Sequence, residues 1–454
     1  MSVFGIYGMN NAANLIYLGL HALQHRGQEG AGIATFDADG VCHHHRGLGL
    51  VSEVFNADRL SEYKGNFGIG STQYANKAKG GMDNVMPLFF RHKSGDLAIA
   101  GEGSLVNAEI ISSYLENSGC LFQTSTDAEI LANLIKKEKD EDRINRLASA
   151  LNMMEGGFTF IILTKNRIYA ARDKYGIKPL AIAKLNGGWV ISSETCAFDL
   201  VGAEFIRDVE PGEIISIDEK HGLRSTKYSR FQKHKVCAME YVYIARPDSD
   251  IDGRNVHAFR QEVGRRLAEE CPADADIVVG VPDSGLSAAV GYAEKSGIPF
   301  EMGLVKNRYV ARTFIQPTQE MRERGVQMKL SAVRSLVKDK RLVLVDDSIV
   351  RGTTCFKIVK MLRAAGAKEV HVRIASPMMT HPCFYGVDTS TTEELLCSTR
   401  SLEEACRMIG ADTLGYISRQ ATVESTKGCS ELCLACFGGG YPTSLYQHGK
   451  DKEE

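Results

Sequence analysis

The chain has 454 residues, of which 54 are lysine or arginine and 56 are aspartate or glutamate, so its formal net charge is -2. This length predicts two or three domains, and a near-neutral charge gives no electrostatic case for binding nucleic acid. No apolar run is long enough to span a bilayer, and no basic-then-apolar leader opens the chain. We therefore expect a protein of the cytoplasm that contacts no membrane.

Short strand patterns dominate the first half of the chain. Ser2–Gly8 is a strand pattern punctuated by glycines, and a helical pattern of leucines follows between residues 15 and 23. Further short strands are predicted at Asp96–Ala100, Phe158–Leu163, Ile168–Ala171 and Trp189–Ser192. Many short strands with few long helices favour an α+β domain in which antiparallel sheets are layered with helices.

Strands and helices alternate in the second half. A strand at Ile277–Asp283 precedes a helical pattern at Ser287–Glu294, and the strand Leu342–Val345 precedes a helix through Leu362 and a strand at Val370–Ile374. This βαβαβ order predicts an α/β domain with a parallel sheet, which binds ligands at the carboxyl ends of its strands. The first two strands end in acids and should open toward one crevice.

The stretch Arg341–Thr354 carries the most specific pattern. Its apolar strand ends in Asp346 and Asp347, and a small-residue loop then leads through Gly352 into a helix. Loop N–H groups and the helix dipole favour a phosphate, while the paired acids suit a ribose diol or a magnesium ion. The Walker spacing is absent. The alternative is an ordinary strand–turn–helix corner with solvated acids.

All fourteen residues of this stretch resemble the phosphoribosyl pyrophosphate (PRPP) motif of type I phosphoribosyltransferases. The resemblance implies that Asp346 and Asp347 hold the ribose hydroxyls. It also implies that the loop after them binds the 5-phosphate, through Ser348, Arg351, Gly352, Thr353 and Thr354.

Two further segments resemble parts of the same family. Pro282–Gly285 resembles the loop that contacts pyrophosphate, with Asp283 and Ser284 as binding residues, and Val305–Pro317 resembles the loop that closes over PRPP. Cationic side chains suit the departing pyrophosphate, and the candidates are Lys306, Arg308, Arg312 and Lys329. The implied cofactor is Mg²⁺, with Ser284, Asp346 and Asp347 as ligands.

Four segments of the first half resemble the N-terminal-nucleophile glutaminase domain of glutamine PRPP amidotransferases. They are Leu23–Ile33, Thr124–Glu129, Ser192–Asp199 and Val209–Glu213. In that family an amino-terminal cysteine attacks the glutamine amide, with its own α-amino group as general base. Ser2 stands at that place here.

Two more chemical positions depart from the family pattern, although Arg26 and Asp127 remain. The arginine that clamps the glutamine carboxylate is replaced by Gln73, which lacks the charge and the bidentate fork. The asparagine that donates to the oxyanion is replaced by Glu102, which can only accept when ionised. We expect an inactive glutaminase site in a domain kept for structure, docking or ammonia routing. Altered amide specificity with Ser2 as nucleophile is the alternative.

The cysteine pattern near the carboxyl end indicates a metal site. Twelve cysteines without an export signal argue for reduced thiols or metal ligation, and close pairs such as Cys433 and Cys436 ligate zinc or an iron–sulfur cluster. Resemblance to cluster-bearing amidotransferases implies a structural [4Fe–4S] cluster, with Cys429 as a spare thiol and four ligands: Cys237, Cys383, Cys433 and Cys436. Zinc is the alternative.

The chain thus resembles amidophosphoribosyltransferases throughout, with a glutaminase-like domain at 2–236, a phosphoribosyltransferase domain at 237–440 and a tail at 441–454. The resemblance implies a homo-oligomer that makes 5-phosphoribosylamine for purine biosynthesis and is inhibited by purine nucleotides. The replaced residues predict that ammonia, free or delivered by a partner glutaminase, is the nitrogen source.

Near the domain joint, Tyr243, Arg246 and Asp248 either line a path for ammonia or are structural. The alternatives are a PRPP transferase for another amine and a non-catalytic PRPP or nucleotide sensor that partners an active paralogue.

Overall fold

A computed structural model of the chain describes residues 1–74, 80–93, 95–229, 234–307, 330–389, 391–428 and 431–446. Within these ranges no helix combines the length and apolarity needed to cross a membrane.

Two antiparallel sheets form the amino-terminal half. Their strands, numbered along the chain, are β1 (Ser2–Tyr7), β2 (Gly30–Phe36), β3 (Cys42–Leu48), β4 (Phe67–Gln73), β5 (Leu88–Phe90), β6 (Leu97–Leu105), β7 (Gly156–Thr164), β8 (Arg167–Arg172), β9 (Ala181–Leu185), β10 (Gly188–Ser192), β11 (Glu204–Asp208), β12 (Glu213–Asp218) and β13 (Gly222–Lys227). One sheet has the order β11-β9-β10-β1-β4-β2-β3 and the other the order β13-β12-β8-β7-β6-β5. Each is antiparallel at every pairing, as the short alternating strands predict.

Helices cover the outer faces of these sheets. They are α1 (Ala12–Ala22), α2 (Val51–Val54), α3 (Ala57–Ser61), α4 (Ala108–Glu116), α5 (Asp127–Lys137), α6 (Arg143–Met153) and α7 (Cys196–Val201). One core lies between the two sheets, a second packs α1 and α7 on the seven-stranded sheet, and a third packs α4, α5 and α6 on the six-stranded sheet. The amino-terminal half is therefore a helix–sheet–sheet–helix sandwich, and the predicted α+β class is confirmed.

The carboxy-terminal half is built on a parallel sheet. Its strands are β14 (Val236–Cys237), β15 (Asp250–Ile251), β16 (Arg254–Asn255), β17 (Ile277–Gly280), β18 (Leu304–Lys306), β19 (Leu330–Ala332), β20 (Arg341–Asp346), β21 (Glu369–Ile374), β22 (Thr413–Tyr416) and β23 (Leu432–Cys433). Strands β17, β20, β21 and β22 pair in that order, all parallel, which confirms the predicted α/β class. Strand β22 was not among the predicted elements.

Helices flank this sheet on both faces. They are α8 (Val256–Glu270), α9 (Leu286–Ser296), α10 (Arg334–Val337), α11 (Thr353–Ala364), α12 (Leu396–Thr399), α13 (Leu402–Ile409), α14 (Arg419–Glu424) and α15 (Ala435–Gly438). Helices α8 and α9 share a core with Val343 and Val345 of β20, whereas α11 and α13 share one with its other face. Strand β20 is buried from Leu342 to Asp346 because helices cover both of its faces.

A π-helical turn at Glu240–Ile244 lies where the two halves meet. Ile177 and Val106 of the first half enter the same core as residues of α8 and β20. Arg172 of β8 is fully buried and donates from both terminal nitrogens to Asp252, at 2.9 Å each. An apolar core and a bidentate ion pair therefore hold the two halves together.

Candidate functional site

The predicted acid pair lies at the carboxyl end of the central strand of the parallel sheet. The hydroxyl of Ser284 donates to Oδ2 of Asp347, and the hydroxyl of Ser348 donates to Oδ1 of the same carboxylate at 2.5 Å. The backbone N–H of Asp347 donates to Oδ1 of Asp346 at 2.9 Å. The two segments that were predicted to face one crevice therefore meet at Asp347.

Burial dominates the electrostatics of this pair, since both side chains are only 7% exposed. It raises the pKa of Asp346 well above the ordinary range, and the neighbouring Asp347 raises it further. Burial also raises the pKa of Asp347. The hydroxyls of Ser284 and Ser348 and the charge of Arg260 lower this pKa, but they do not outweigh burial. Two carboxylates in this position are fully ionised only when a cation or several donors face them, so the pair is suited to a metal ion or a diol.

The loop that follows has the form of an anion cradle. Gly352 adopts a left-handed φ of 77° at the N-cap of α11, and a Cβ there would lie 3.0 Å from side-chain atoms of both Leu396 and Met408. Thr353 and Thr354 are exposed in the first turn, which contains no acidic residue and no side-chain cap. The first N–H groups of α11 are thus open to a bound anion.

Two predicted cationic contacts have carboxylate partners. Lys306, at the end of β18, forms an ion pair with Asp283 beside Ser284. Arg351 of the loop is paired with Glu394 and is exposed. Lys306 therefore lies beside Ser284 at the crevice, whereas the side chain of Arg351 pairs with Glu394. Arg308, Arg312 and Lys329 lie outside the described residues.

Arg26 and Glu102 meet in a buried charge cluster in the amino-terminal half. Nη2 of Arg26 donates to Glu102, and the hydroxyl of Ser193 donates to the other oxygen of Glu102 at 2.8 Å. Arg26 also contacts Glu194, and it contacts Glu240 of the π-helical turn at 2.8 and 3.0 Å. Both carboxylate oxygens of Glu102 therefore accept hydrogen bonds, and the side chain offers no donor at this position.

The remaining charges of the cluster are balanced by bases. Lys178 donates to Glu240 at 3.0 Å, and His25 contacts Glu194 at 2.7 Å. Burial alone would raise the pKa of Glu194 and of Glu240. The charges of His25 and Arg26 outweigh burial at Glu194, and those of Arg26 and Lys178 outweigh it at Glu240, so both pKa values are lowered.

Ser2 is enclosed at the start of β1. Its residue lies opposite Thr72 of β4, and the two hydroxyls are 2.7 Å apart. Ser2 is 0% exposed, and the amino group of Met1 donates to the carbonyl of Arg26 at 2.6 Å. Burial lowers the pKa of that amino group to about 5. The hydroxyl of Ser2 thus has the hydroxyl of Thr72 as its hydrogen-bonding partner.

A cavity of about 30 Å³ adjoins these residues, lined by Met1, Gln73, Met86, Gly101, Glu102, Gly103, Thr126, Asp127, Ala128 and Phe160. It has room for a water molecule or two but not for an amino acid. The Oε1 atom of Gln73 is buried and accepts no hydrogen bond from the described residues. One carboxylate oxygen of Asp127 accepts from the backbone N–H of Leu105 at 3.0 Å. Gln73, Glu102 and Asp127 are therefore neighbours, as the resemblance implies.

Glu194, which was not predicted as a site residue, lies at the domain joint with the predicted residues Tyr243, Arg246 and Asp248. Glu194 accepts from the backbone N–H of Arg246 at 2.9 Å and from the hydroxyl of Ser249 at 2.8 Å. The side chain of Arg246 is paired with Asp248, and Tyr243 is 47% exposed.

Arg260, also unpredicted, donates to the carbonyls of Tyr241 and Ala245 at 2.7 and 2.8 Å. Burial lowers the pKa of Arg260 to about 10, although the charges of Asp347 and Glu194 act to raise it. This buried arginine is therefore hydrogen-bonded to the π-helical turn and acts on Asp347 through its charge. Glu194 lies inside the Ser192–Asp199 segment, whereas nothing in the local sequence marked Glu240, Lys178 or Arg260.

Four of the predicted thiols come together behind the domain joint. Strands β14 and β23 pair in parallel, with Cys237 opposite Cys433. Burial raises the pKa of Cys436 well above its ordinary value, and the nearby thiols of Cys237, Cys383 and Cys433 raise it further. Among the described residues, no three His, Cys, Asp or Glu side chains are arranged to hold a metal ion. Cys429 lies outside the described residues.

Comparisons with known proteins agree with this two-part architecture. Residues 83–199 match a glutamine amidotransferase domain, and residues 255–382 match a phosphoribosyl transferase domain. The amidophosphoribosyltransferase of Bacillus subtilis (strain 168) is 51% identical over 98% of this chain and 94% of the relative. That of Staphylococcus aureus (strain Mu50) is 48% identical over 98% of this chain and 91% of the relative.

Solved structures are similar over the same span. Glutamine PRPP amidotransferase from B. subtilis, complexed with ADP and GMP, superposes with a TM-score of 0.93 at 50% identity and covers 98% of both chains. A structure described as the allosteric regulatory enzyme of purine biosynthesis superposes with a TM-score of 0.94 at 51% identity, covering 98% of this chain and 97% of the other.

Proposed function

The chain belongs to the amidophosphoribosyltransferase family, and we propose that, within this family's amidotransfer to PRPP, it takes its nitrogen from ammonia rather than from glutamine. It is a pentosyltransferase of purine biosynthesis. The observation that carries the proposal is the buried contact of Glu102 with Arg26, at the position where the family places an oxyanion donor.

Glu102 opposes amide hydrolysis in two ways. Its oxygens accept from Arg26 and Ser193, so neither can donate to a developing oxyanion. A carboxylate at this place would also repel that charge, and one oxyanion donor is ordinarily worth about 3–4 kcal/mol. Gln73 adds to the loss because its neutral side chain cannot clamp an α-carboxylate as an arginine fork does.

The transferase crevice retains the groups that the reaction needs. We infer that Asp346 and Asp347 accept the ribose hydroxyls and that the N-terminus of α11 holds the 5-phosphate, where Gly352, Thr353 and Thr354 lie. Ser348 and Arg351 belong to the same loop. Lys306, Asp283 and Ser284 lie where the pyrophosphate would depart.

The main contribution of the protein to the reaction is then to position ammonia and PRPP for attack. The lone pair of ammonia attacks C1 of the ribose while the C1–O bond breaks, and pyrophosphate leaves with the electron pair. The new ammonium group loses a proton to water. Lys306 leaves its ion pair with Asp283 and binds the departing pyrophosphate instead. Arg308, Arg312 and Lys329 also stabilise this leaving group. Magnesium, when bound, neutralises charge on the pyrophosphate, and Ser284, Asp346 and Asp347 would hold it.

A [4Fe–4S] cluster is part of the proposal. Each thiolate of such a cluster binds a different iron, so its four ligands lie farther apart than the ligands of one ion. Cys237, Cys383, Cys433 and Cys436 would supply these four thiolates, since Cys237 lies opposite Cys433 and the four thiols are close enough to influence one another electrostatically. Their apolar surroundings in one core also suit a structural cluster. Zinc remains the alternative that metal analysis would reveal.

The proposal keeps the domain division at 236 and 237, with a tail after 440. The pairing of Val236 with Leu432 attaches this joint to the carboxy-terminal segment. The B. subtilis structure with ADP and GMP supports purine nucleotides as inhibitors of this chain as well. We further propose a cytoplasmic homo-oligomer, to which a separate glutaminase or an active paralogue delivers ammonia.

The deciding experiment measures pyrophosphate release from PRPP with ammonium or with glutamine as the nitrogen donor. We expect release with ammonium, rising with pH as more of it becomes free ammonia, and none with glutamine. Glutamine-dependent release that Ser2→Ala abolishes would overturn the ammonia proposal. Coupling the product to the next enzyme of purine synthesis excludes transfer of a different amine. Absence of release with either donor would instead indicate a sensor that binds PRPP without turnover.

A further inference from the structure

A second, larger cavity lies in the amino-terminal half, between the β5 edge of the six-stranded sheet and helices α5 and α6. Its volume is about 470 Å³, which is within the range of about 300–1,000 Å³ usual for small-molecule sites. It shares no lining residue with the small cavity beside Ser2. It also contains none of the residues of the PRPP crevice, so the function proposed above does not use it.

One wall of this cavity is apolar. Leu88 of β5, Ile162 of β7 and Tyr169 of β8 contribute buried side chains from the sheet, and Leu147 of α6 faces them. An apolar ring or chain of a ligand would gain free energy by burying its own surface against these side chains.

The rim and the opposite wall are basic. Five basic side chains line the cavity, against two acidic ones: Arg46, Arg91, Lys136, Arg143 and Arg146, with Asp96 and Glu129. The oxygens of Glu129 accept from the backbone N–H groups of Gln123 and Thr124 at 2.9 and 2.7 Å, and the five basic side chains still outnumber both acids. The cavity therefore has a positive excess that a small anion would neutralise.

Arg146 indicates where in the cavity an anionic group would bind. Its Nε atom is buried at the cavity wall and donates to no acceptor among the described residues. Its Nη2 atom makes one long contact, 3.3 Å to the carbonyl of Glu141. An anionic oxygen bound in the cavity would accept from this buried donor in a charge-assisted hydrogen bond, which is stronger than the bond that a water molecule in the same place would form.

We propose that this cavity binds a small amphipathic anion, with an aromatic or aliphatic body and one carboxylate or phosphate group. The body lies against Leu88, Ile162 and Leu147, and the anionic group is held by Arg146 with help from Lys136. The binding site is distinct from the transferase and glutaminase-like sites, so occupancy does not require PRPP or ammonia.

Fluorescence of the aromatic sulfonate 8-anilinonaphthalene-1-sulfonate tests the proposal on the full-length protein, with PRPP and Mg²⁺ present to occupy the transferase crevice. We expect saturable binding that Arg146→Met weakens about tenfold, since one charge-assisted contact is lost. Lys136→Glu should weaken it about threefold or more, whereas Lys139→Glu, an equal charge change on an exposed residue outside the cavity, should not. Equal affinity in wild type, Arg146→Met and Lys136→Glu would overturn the site.

Folding and ligand class are separated by two further measurements. Arg146→Met removes an unpaired buried donor, so its thermal midpoint should not fall below that of the wild type, and weakened binding cannot then be ascribed to unfolding. Phenyl phosphate and indole-3-acetate are added as competitors to distinguish a phosphate from a carboxylate. Displacement by either supports the proposed ligand class, and failure of both at millimolar concentration overturns it.

Discussion

Arg26 donates to Glu102 and to Glu240 from a single terminal nitrogen, deep inside the protein. This guanidinium joins Glu102 in the amino-terminal half to the π-helical turn at the domain joint. Lys178 and His25 complete the cluster, so the three glutamates are each paired with a base. Glu102 is thus integrated in the interior as a structural partner.

Ser2→Ala tests whether the amino-terminal hydroxyl takes part in nitrogen supply. We expect ammonium-dependent pyrophosphate release to stay within about twofold of the wild type, because the hydroxyl bonds to Thr72 alone among the described residues and Ser2 lies outside the PRPP crevice. Release is measured with ammonium and with glutamine at one alkaline pH. Thr72→Val provides the matched control, since it removes the other hydroxyl of the same contact. A selective loss of glutamine-dependent turnover in Ser2→Ala alone would contradict the expectation.

Arg26→Met should be among the most destabilising single changes in the chain. It leaves Glu102, Glu194 and Glu240 buried together, and removal of one partner from a buried ion cluster costs about 3–5 kcal/mol. Urea unfolding followed by circular dichroism measures the loss. The control is Arg363→Met, which breaks an exposed pair with Asp412 and should cost no more than about 1 kcal/mol.

A second substitution separates charge from packing at the same place. Adding Glu102→Gln to Arg26→Met removes one of the uncompensated carboxylates, so the double variant should regain part of the lost stability. Strictly additive losses would mean that the two residues do not interact energetically.

The fold could be predicted from the sequence because its signals are local. Alternating short strands indicated antiparallel sheets, and the apolar run before Asp346 indicated a buried parallel strand. The same holds for the crevice, where a strand end, a glycine and two threonines lie within nine residues. Strand β22 was missed because Thr413–Tyr416 is short and lies at the sheet edge, where burial on both faces is not required.

The charge cluster could not be predicted in this way. Arg26 meets Glu194 across 168 residues of sequence and Glu240 across 214, and no local pattern encodes such partners. The sequence singled out Glu102 by its departure from the family pattern, but it could not predict the pairing of Glu102 with Arg26. Likewise, the anion-binding cavity depends on how α5 and α6 lie over the sheet, which residue periodicity does not specify.

Asp346→Asn should separate function from stability in the crevice. Asparagine keeps the shape but loses the charge that a metal ion or diol requires, so we expect PRPP turnover to fall about a hundredfold or more. The thermal midpoint near neutral pH should not fall, because burial already raises the pKa of Asp346 and ionisation of this carboxyl costs folding free energy. Asp274→Asn, which alters an exposed acid at the edge of the same half, is the control. Equal turnover in both variants would refute the assigned role.

Cys237→Ser should reduce iron content and destabilise the carboxy-terminal segment together. Cys237 lies opposite Cys433 in the pairing of β14 with β23, so loss of one ligand affects the attachment of this segment. Iron, sulfide and zinc are quantified in the purified protein, and absorbance near about 400 nm is recorded. Cys120→Ser, a partly buried thiol on the other half of the chain, should change none of these values. A colourless wild-type protein with stoichiometric zinc would show that these cysteines bind zinc and not an iron–sulfur cluster.

Asp208→Asn should change how stability depends on pH at the domain joint. Asp208 ends β11 near the Arg172–Asp252 pair, and burial together with the charge of Asp252 raises its pKa from 3.8 to about 7. Between about pH 4 and 7 the folded chain therefore holds a proton that the unfolded chain has lost, so this carboxyl's contribution to stability declines as pH rises through that window. The decline is at most about 1.4 kcal/mol per pH unit.

Asparagine keeps a side-chain oxygen that can accept from the backbone N–H of Asp252, but it does not ionise. The thermal midpoint of Asp208→Asn should therefore match that of the wild type near pH 4 and exceed it increasingly up to pH 7. Asp39→Asn, on an exposed turn, provides the reference profile. A difference between Asp208→Asn and wild type that stays constant with pH would show that Asp208 titrates as an ordinary surface acid.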